Sequence, residues 1–135
     1  MGQSSMLNKV LILRLSFWAG AVLDVLAFLT MLFPALFALN YGLIGFNPGM
    51  EYRYAMGMGA PLMIGWTLLL LWASHRPIER KSILLITLPV IFGEVVAEVF
   101  GVKTGFFMME ALIPILVIQA LLSALFVYSY WNASR

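Results

Sequence analysis

ILLITLPVIFGEVVAEVFGV, residues 83–102, decides how this chain is read. The run is long enough to cross a bilayer as a helix, which takes about 20 predominantly apolar residues. It nevertheless contains two acids, Glu94 and Glu98. At ~100° per residue their carboxyls lie ~40° apart on one helix face, shared with Thr87 and Gly101 and flanked by Gly93 and Ala97. Phe92, Val95, Val96, Val99 and Phe100 take the opposite face. One face therefore suits lipid, and the other suits close-packed protein with two acids in it. A carboxylate near a bilayer centre costs roughly 2.5–3.5 kcal/mol on insertion scales, so each acid must be neutral, partnered or wetted.

The composition points the same way. Of 135 residues 63% are hydrophobic, against roughly 45–50% in a soluble domain, and the mean hydropathy is +0.99. Only 10% are charged, too few to cover a soluble surface. The expected class is all-α: a four-transmembrane-helix bundle forming one multi-pass domain over residues 1–135 of a cell-membrane protein. No cysteine is present, which removes thiol catalysis, disulfide exchange, thiolate metal sites and covalent haem attachment. The pI near 9.2 does not make nucleic acid a partner, because the net charge is only +2 and no basic stripe exists.

The helices are expected at about 10–39, 56–73, 83–102 and 108–130. In the first, Asn8, Lys9 and Arg14 precede the apolar run 15–33, which continues through Pro34 with a kink. Ala19-Gly20-Ala21 imitates a signal-peptide cleavage site, but Arg14 interrupts the apolar stretch before it, so the segment reads as a mature helix. Asn47-Pro48-Gly49 is a turn signal, followed by the charge-paired aromatic edge Glu51-Tyr52-Arg53-Tyr54. In the second helix Gly57, Pro61 and Gly65 recur every four residues, a small-residue line expected to admit another backbone. The Gly93, Ala97 and Gly101 line is expected to do the same. Residues 74–81, SHRPIERK, form a basic loop.

Depth brings the polar groups together. Asp24 is the midpoint of the run 15–33, and Glu94, Gln119 and Thr67 lie near the centres of their own helices. Asp24 shares its face with Ser16, Gly20, Ala27 and Met31, Gln119 with Ser123, and Thr67 with Met56, Ala60 and Met63. Asp24, Glu94, Glu98, Gln119 and Thr67 are thus the candidate site for a ligand or a proton. No lysine or arginine lies at that depth. Burial and mutual repulsion disfavour several negative charges so close together, so these acids are expected to share protons. Such a cluster can serve as a proton site, a counter-ion for a cationic ligand, or a general acid/base pair. It can equally do no more than hydrogen-bond helices together.

Other residues point less far. His75 is the single histidine and falls in the basic loop, which excludes bis-histidine haem. The nine methionines read as adaptable packing. Glu94 and Glu98 have the spacing to bind a metal, but no histidine joins them. No metal or cofactor is expected. Membrane lipids are the expected partners, with anionic headgroups beside Arg76, Arg80 and Lys81, and a homo-oligomer or larger membrane complex remains open.

The segment Glu51-Tyr52-Arg53-Tyr54-Ala55-Met56-Gly57-Met58-Gly59, the basic loop and the acidic third helix together resemble small four-helix integral membrane proteins of prokaryotes. That resemblance implies a fold and no activity. In outline only, the chain is similar to small multidrug-resistance transporters, which have four short helices and an acid in the first, where Asp24 stands. In outline it is also similar to sterol isomerase-like proteins of the EXPERA group, which enclose an apolar cavity with buried acids. The motifs of neither are reproduced.

The leading expectation is a small membrane binding or transport protein whose carboxylates accept a proton or a small hydrophobic, cationic molecule. A membrane enzyme acting on a lipid-like substrate by acid/base chemistry, such as an isomerase, is the first alternative. A non-catalytic subunit of a membrane complex is the second. Orientation follows from the basic residues: Lys9, Arg14, Arg76, Arg80, Lys81 and Arg135 fall on one side of a four-helix chain, and Arg53 and Lys103 on the other. Both termini are therefore expected in the cytoplasm. A reporter fused after Arg135 should be cytoplasmic and one inserted at Asn47 external; an external C-terminus would require an odd number of crossings.

Overall fold

The computed structural model describes residues 2–135, with side chains from Ser4 onward. Five helices and no strand make up the described residues: α1 (Gly2–Leu32), α2 (Pro34–Tyr41), α3 (Met50–His75), α4 (Ser82–Lys103) and α5 (Met109–Ser134). α1, from Ser4 onward, and all of α3, α4 and α5 are long and apolar enough to cross a membrane.

The first apolar run is divided rather than kinked. Phe33 leaves the helix with an extended backbone (φ −114°, ψ 99°), and Pro34 starts α2. A residue before proline is pushed out of the α region by the proline ring, and proline itself suits a first helical position. Gly42, at φ 66°, ends α2 in the left-handed region that glycine tolerates. α3 begins at Met50, directly after Gly49, and so takes in the aromatic edge Glu51-Tyr52-Arg53-Tyr54 expected to precede it. Glu51 in its first turn complements the positive end of the helix dipole, and no breaker separates it from residue 56.

α3 packs along α1, α1 along α5, and α5 along α4, while the α3 and α4 backbones stay apart and meet through side chains such as Trp66 and Thr87. Contacts of Gly20 with Leu70 and of Gly59 with Met31 show that α1 and α3 run antiparallel. The packed core lies toward one end, the end that holds the 76–81 turn and the C-terminus. Leu13, Phe17, Ala21, Leu70, Ala73, Leu84, Ile91 and Phe126 form it. Beside it the Ser16 and Ser129 hydroxyls meet at 2.6 Å, and Ser16 Oγ also donates to the Ile12 carbonyl. The basic turn ties off helix ends there. Lys81 Nζ donates to the Ala133 carbonyl (3.2 Å) and Ser134 Oγ (2.8 Å), and Arg80 donates to the Trp72 carbonyl while lying over the Trp72 ring. Cations on terminal carbonyls complement the negative ends of α3 and α5.

The small-residue lines are not where the helices approach. A Cβ at Gly57, Gly65 or Gly93 would meet nothing within 4 Å, and Pro61 and Ala97 are exposed. Close approach occurs instead at Gly20, where a Cβ would come within 2.9 Å of Phe126 and 3.0 Å of Leu70. Four-residue spacing places small residues on one stripe but does not choose the neighbour; the bulky partners of α1 and α5 do. Val95 and Val99 are half-buried, while Phe92, Val96 and Phe100 are exposed. Gly20→Leu should therefore lower stability by roughly 1–3 kcal/mol in detergent unfolding. Gly57→Leu, Gly65→Leu and Gly93→Leu should stay within about 0.5 kcal/mol of the native chain. An equal loss at Gly65 would place a neighbour against the outer face of α3.

Candidate functional site

Above the packed core the helices border a half-open cavity of about 1030 Å³. Its wall is mostly apolar, with Leu23, Ala27 and Met31 from α1, Met56 and Met63 from α3, Val90 and Ile91 from α4, and Ile115 and Ile118 from α5. Asp24, Glu94, Glu98, Gln119 and Thr87 also line it, together with Tyr41 and Tyr52. No lysine, arginine or histidine does so among the described residues. The one ion pair among them, Arg76–Glu79 at 3.5 Å, lies exposed in the 76–81 turn.

Glu98 is the buried acid, 7% exposed, whereas Asp24 and Glu94 are half-buried. Its Oε1 accepts from two directions: Tyr41 Oη donates at 3.0 Å and Gln119 Nε2 at 3.3 Å. Burial, and then the adjacent Glu98 carboxyl, raises the Tyr41 phenol above its ordinary range, so that hydroxyl stays a donor. Asp24 from α1 and Glu94 and Glu98 from α4 thus bring three acids to one cavity.

Four buried side-chain atoms among the described residues find no hydrogen-bond partner in the protein: Asp24 Oδ2, Tyr52 Oη, Glu98 Oε2 and Gln119 Oε1. Every one belongs to a residue lining this cavity, and each of the four long helices contributes one. Buried polar atoms are nearly always paired, so four unpaired ones in residues around one space set this cavity apart from the rest of the bundle.

The roof is aromatic and was not legible as such in the sequence. Gly105, at φ 76°, turns the chain after α4, and the Phe106 and Phe107 amides both donate back to the Gly101 carbonyl. This lays the Phe107 ring where a Cβ on Gly101 would stand. Phe107 stacks on Tyr41 at 4.4 Å, and Phe37 packs against both and against Tyr52. Gly101 thus makes room for Phe107, which steadies Tyr41, which holds Glu98.

Of the residues singled out from the sequence, Asp24, Glu94, Glu98 and Gln119 come together at this cavity. Thr67 does not. It is buried on the α3 stripe with Ala60, Leu70 and Ala73, and its hydroxyl donates to the Met63 carbonyl of its own helix. Thr87 on α4 lines the cavity, where Trp66 Nε1 donates to its hydroxyl at 3.2 Å. The sequence marks Tyr52 only as part of an aromatic edge, and the one signal pointing to Tyr41 is Pro34, which starts the short helix that carries it.

Comparison with protein-family models, with curated proteins and with solved structures found no match. What the site does has to be argued from its own chemistry. Gly101→Ala should push Phe107 off Tyr41 and lower the stability in thermal unfolding by roughly 1–3 kcal/mol. Gly93→Ala, on the same helix but facing open space, should be close to neutral. Equal effects at the two positions would contradict the roof described here.

Proposed function

We propose that this chain is a multi-pass cell-membrane protein, both termini in the cytoplasm, that binds a small hydrophobic, cationic molecule, or a proton in its place, and moves it between the bilayer and the far side. One observation carries the reading: a largely apolar cavity to whose wall each long helix contributes a residue with a buried, unpartnered polar atom. Ligand sites have this composition, an apolar wall with a few polar groups that fix orientation, and volumes of roughly 300–1,000 Å³. Three carboxyls with no cation among the lining residues favour positive charge in the occupant. The distribution of basic residues supports the orientation, and the four long apolar helices support the membrane setting.

The test is saturable binding of a hydrophobic dye bearing a protonated amine, to protein reconstituted in lipid. Native protein should saturate. Glu98→Gln should bind about tenfold more weakly or worse, as expected for losing a hydrogen bond to a charged group. Unsaturable partitioning, identical with and without protein, would contradict the proposal.

A further inference from the structure

We infer that the polar end of the occupant carries N–H donors, so that a primary or secondary ammonium on a hydrophobic body is bound in preference to its quaternary counterpart. The inference rests on the ligand-site reading above and narrows it to a chemical class. Gln119 Oε1 can only accept a hydrogen bond. Glu98 Oε1 already takes two donors, Tyr41 Oη and Gln119 Nε2. Its Oε2, on a cavity-lining side chain 7% exposed, has no partner in the protein. Asp24 Oδ2, on α1, is unpartnered as well. An ammonium bound here takes the place of the protons these acids otherwise share, so three acceptors from three helices need donors, and Tyr52 Oη supplies at most one.

A quaternary ammonium has no N–H. It is held where aromatic faces surround the charge. The rings here are turned to one another instead. Phe107 covers Tyr41 by stacking at 4.4 Å, and Phe37 meets Tyr52 edge-on at 5.5 Å. A bare metal ion fits no better, because no three of the described acids converge closely enough to hold one. An –NH3⁺ or –NH2⁺– group answers both the charge and the acceptors, and the apolar wall takes the rest of the molecule.

The test compares three probes of one tail length on protein in lipid nanodiscs, with protein-free nanodiscs as reference: tetradecylammonium, tetradecyltrimethylammonium and tetradecanol. Tetradecylammonium should bind saturably and about tenfold more tightly than the trimethyl compound, because the latter leaves buried acceptors unpaired. Glu98→Gln should erase most of that difference, while Glu79→Gln in the exposed turn should leave it intact. If Glu98→Gln does not yield folded protein, Asp24→Asn, at a half-buried position, is read in the same way. Trimethylammonium binding as tightly as the primary ammonium would overturn this inference and leave the cation site standing. Tetradecanol binding as tightly would overturn the charged head, and saturable binding by none of the three would overturn both readings.

Discussion

A carboxyl group shut away from water must find its hydrogen bonds among its neighbours, and Glu98 finds them for one oxygen only. Oε1 is held by Tyr41 and Gln119, while Oε2 has no partner in the protein. Much of the surrounding structure serves that half-satisfied group. Gln119 is brought to it by the packing of α5 along α4. Tyr41 is brought to it by α2, which exists because Pro34 ends α1. Phe107 holds Tyr41 in place, and Gly101 is the only residue type that leaves room for Phe107. Placing an unpaired polar atom out of reach of water is unfavourable by about 1–3 kcal/mol, and the fold does so at four positions around one space.

The two ends of the bundle divide the work. At the end of the 76–81 turn, Phe17, Leu70, Leu84 and Phe126 are fully buried, and the Ser16–Ser129 contact and the Lys81 caps tie α1, α4 and α5 together. There the helices are packed to exclusion. Toward the other end α3 and α4 do not close on each other, and side chains as long as Met31, Met56 and Met63 leave the interior open beneath the aromatic roof. Rigidity at one end and space at the other is the arrangement a binding cavity needs. Glu98 stands under that roof, bonded to Tyr41.

The four long helices were legible because apolar runs of that length have no other stable use, and the acid-bearing face of α4 was legible from helical periodicity. Periodicity reports which residues share a stripe; it does not report what the stripe meets. That is why Gly57 and Gly65 looked like contact points and face open space, while Gly20 carries the close approach. It is also why Thr67, on a helix rich in site neighbours, bonds its own backbone. The break at Phe33 was read as a kink because an apolar run on both sides of Pro34 conceals the change in direction. Tyr41 and Phe107 depend on that turn and on Gly105, and both are tertiary events that no local pattern announces.

The absence of cysteine allows the central claim, a largely apolar cavity between these helices that a small cation can enter, to be tested by single introduced thiols. Only the thiolate reacts, so a thiol in contact with lipid alone is inert and one in a wetted cavity is not. Ala27→Cys and Ile115→Cys line the cavity on α1 and α5, and Leu121→Cys stands on the exposed face of α5. With protein in lipid and an ammonium-bearing methanethiosulfonate as reagent, the account predicts modification at Ala27→Cys and Ile115→Cys and none at Leu121→Cys. Ala27→Cys and Ile115→Cys as unreactive as Leu121→Cys would contradict it.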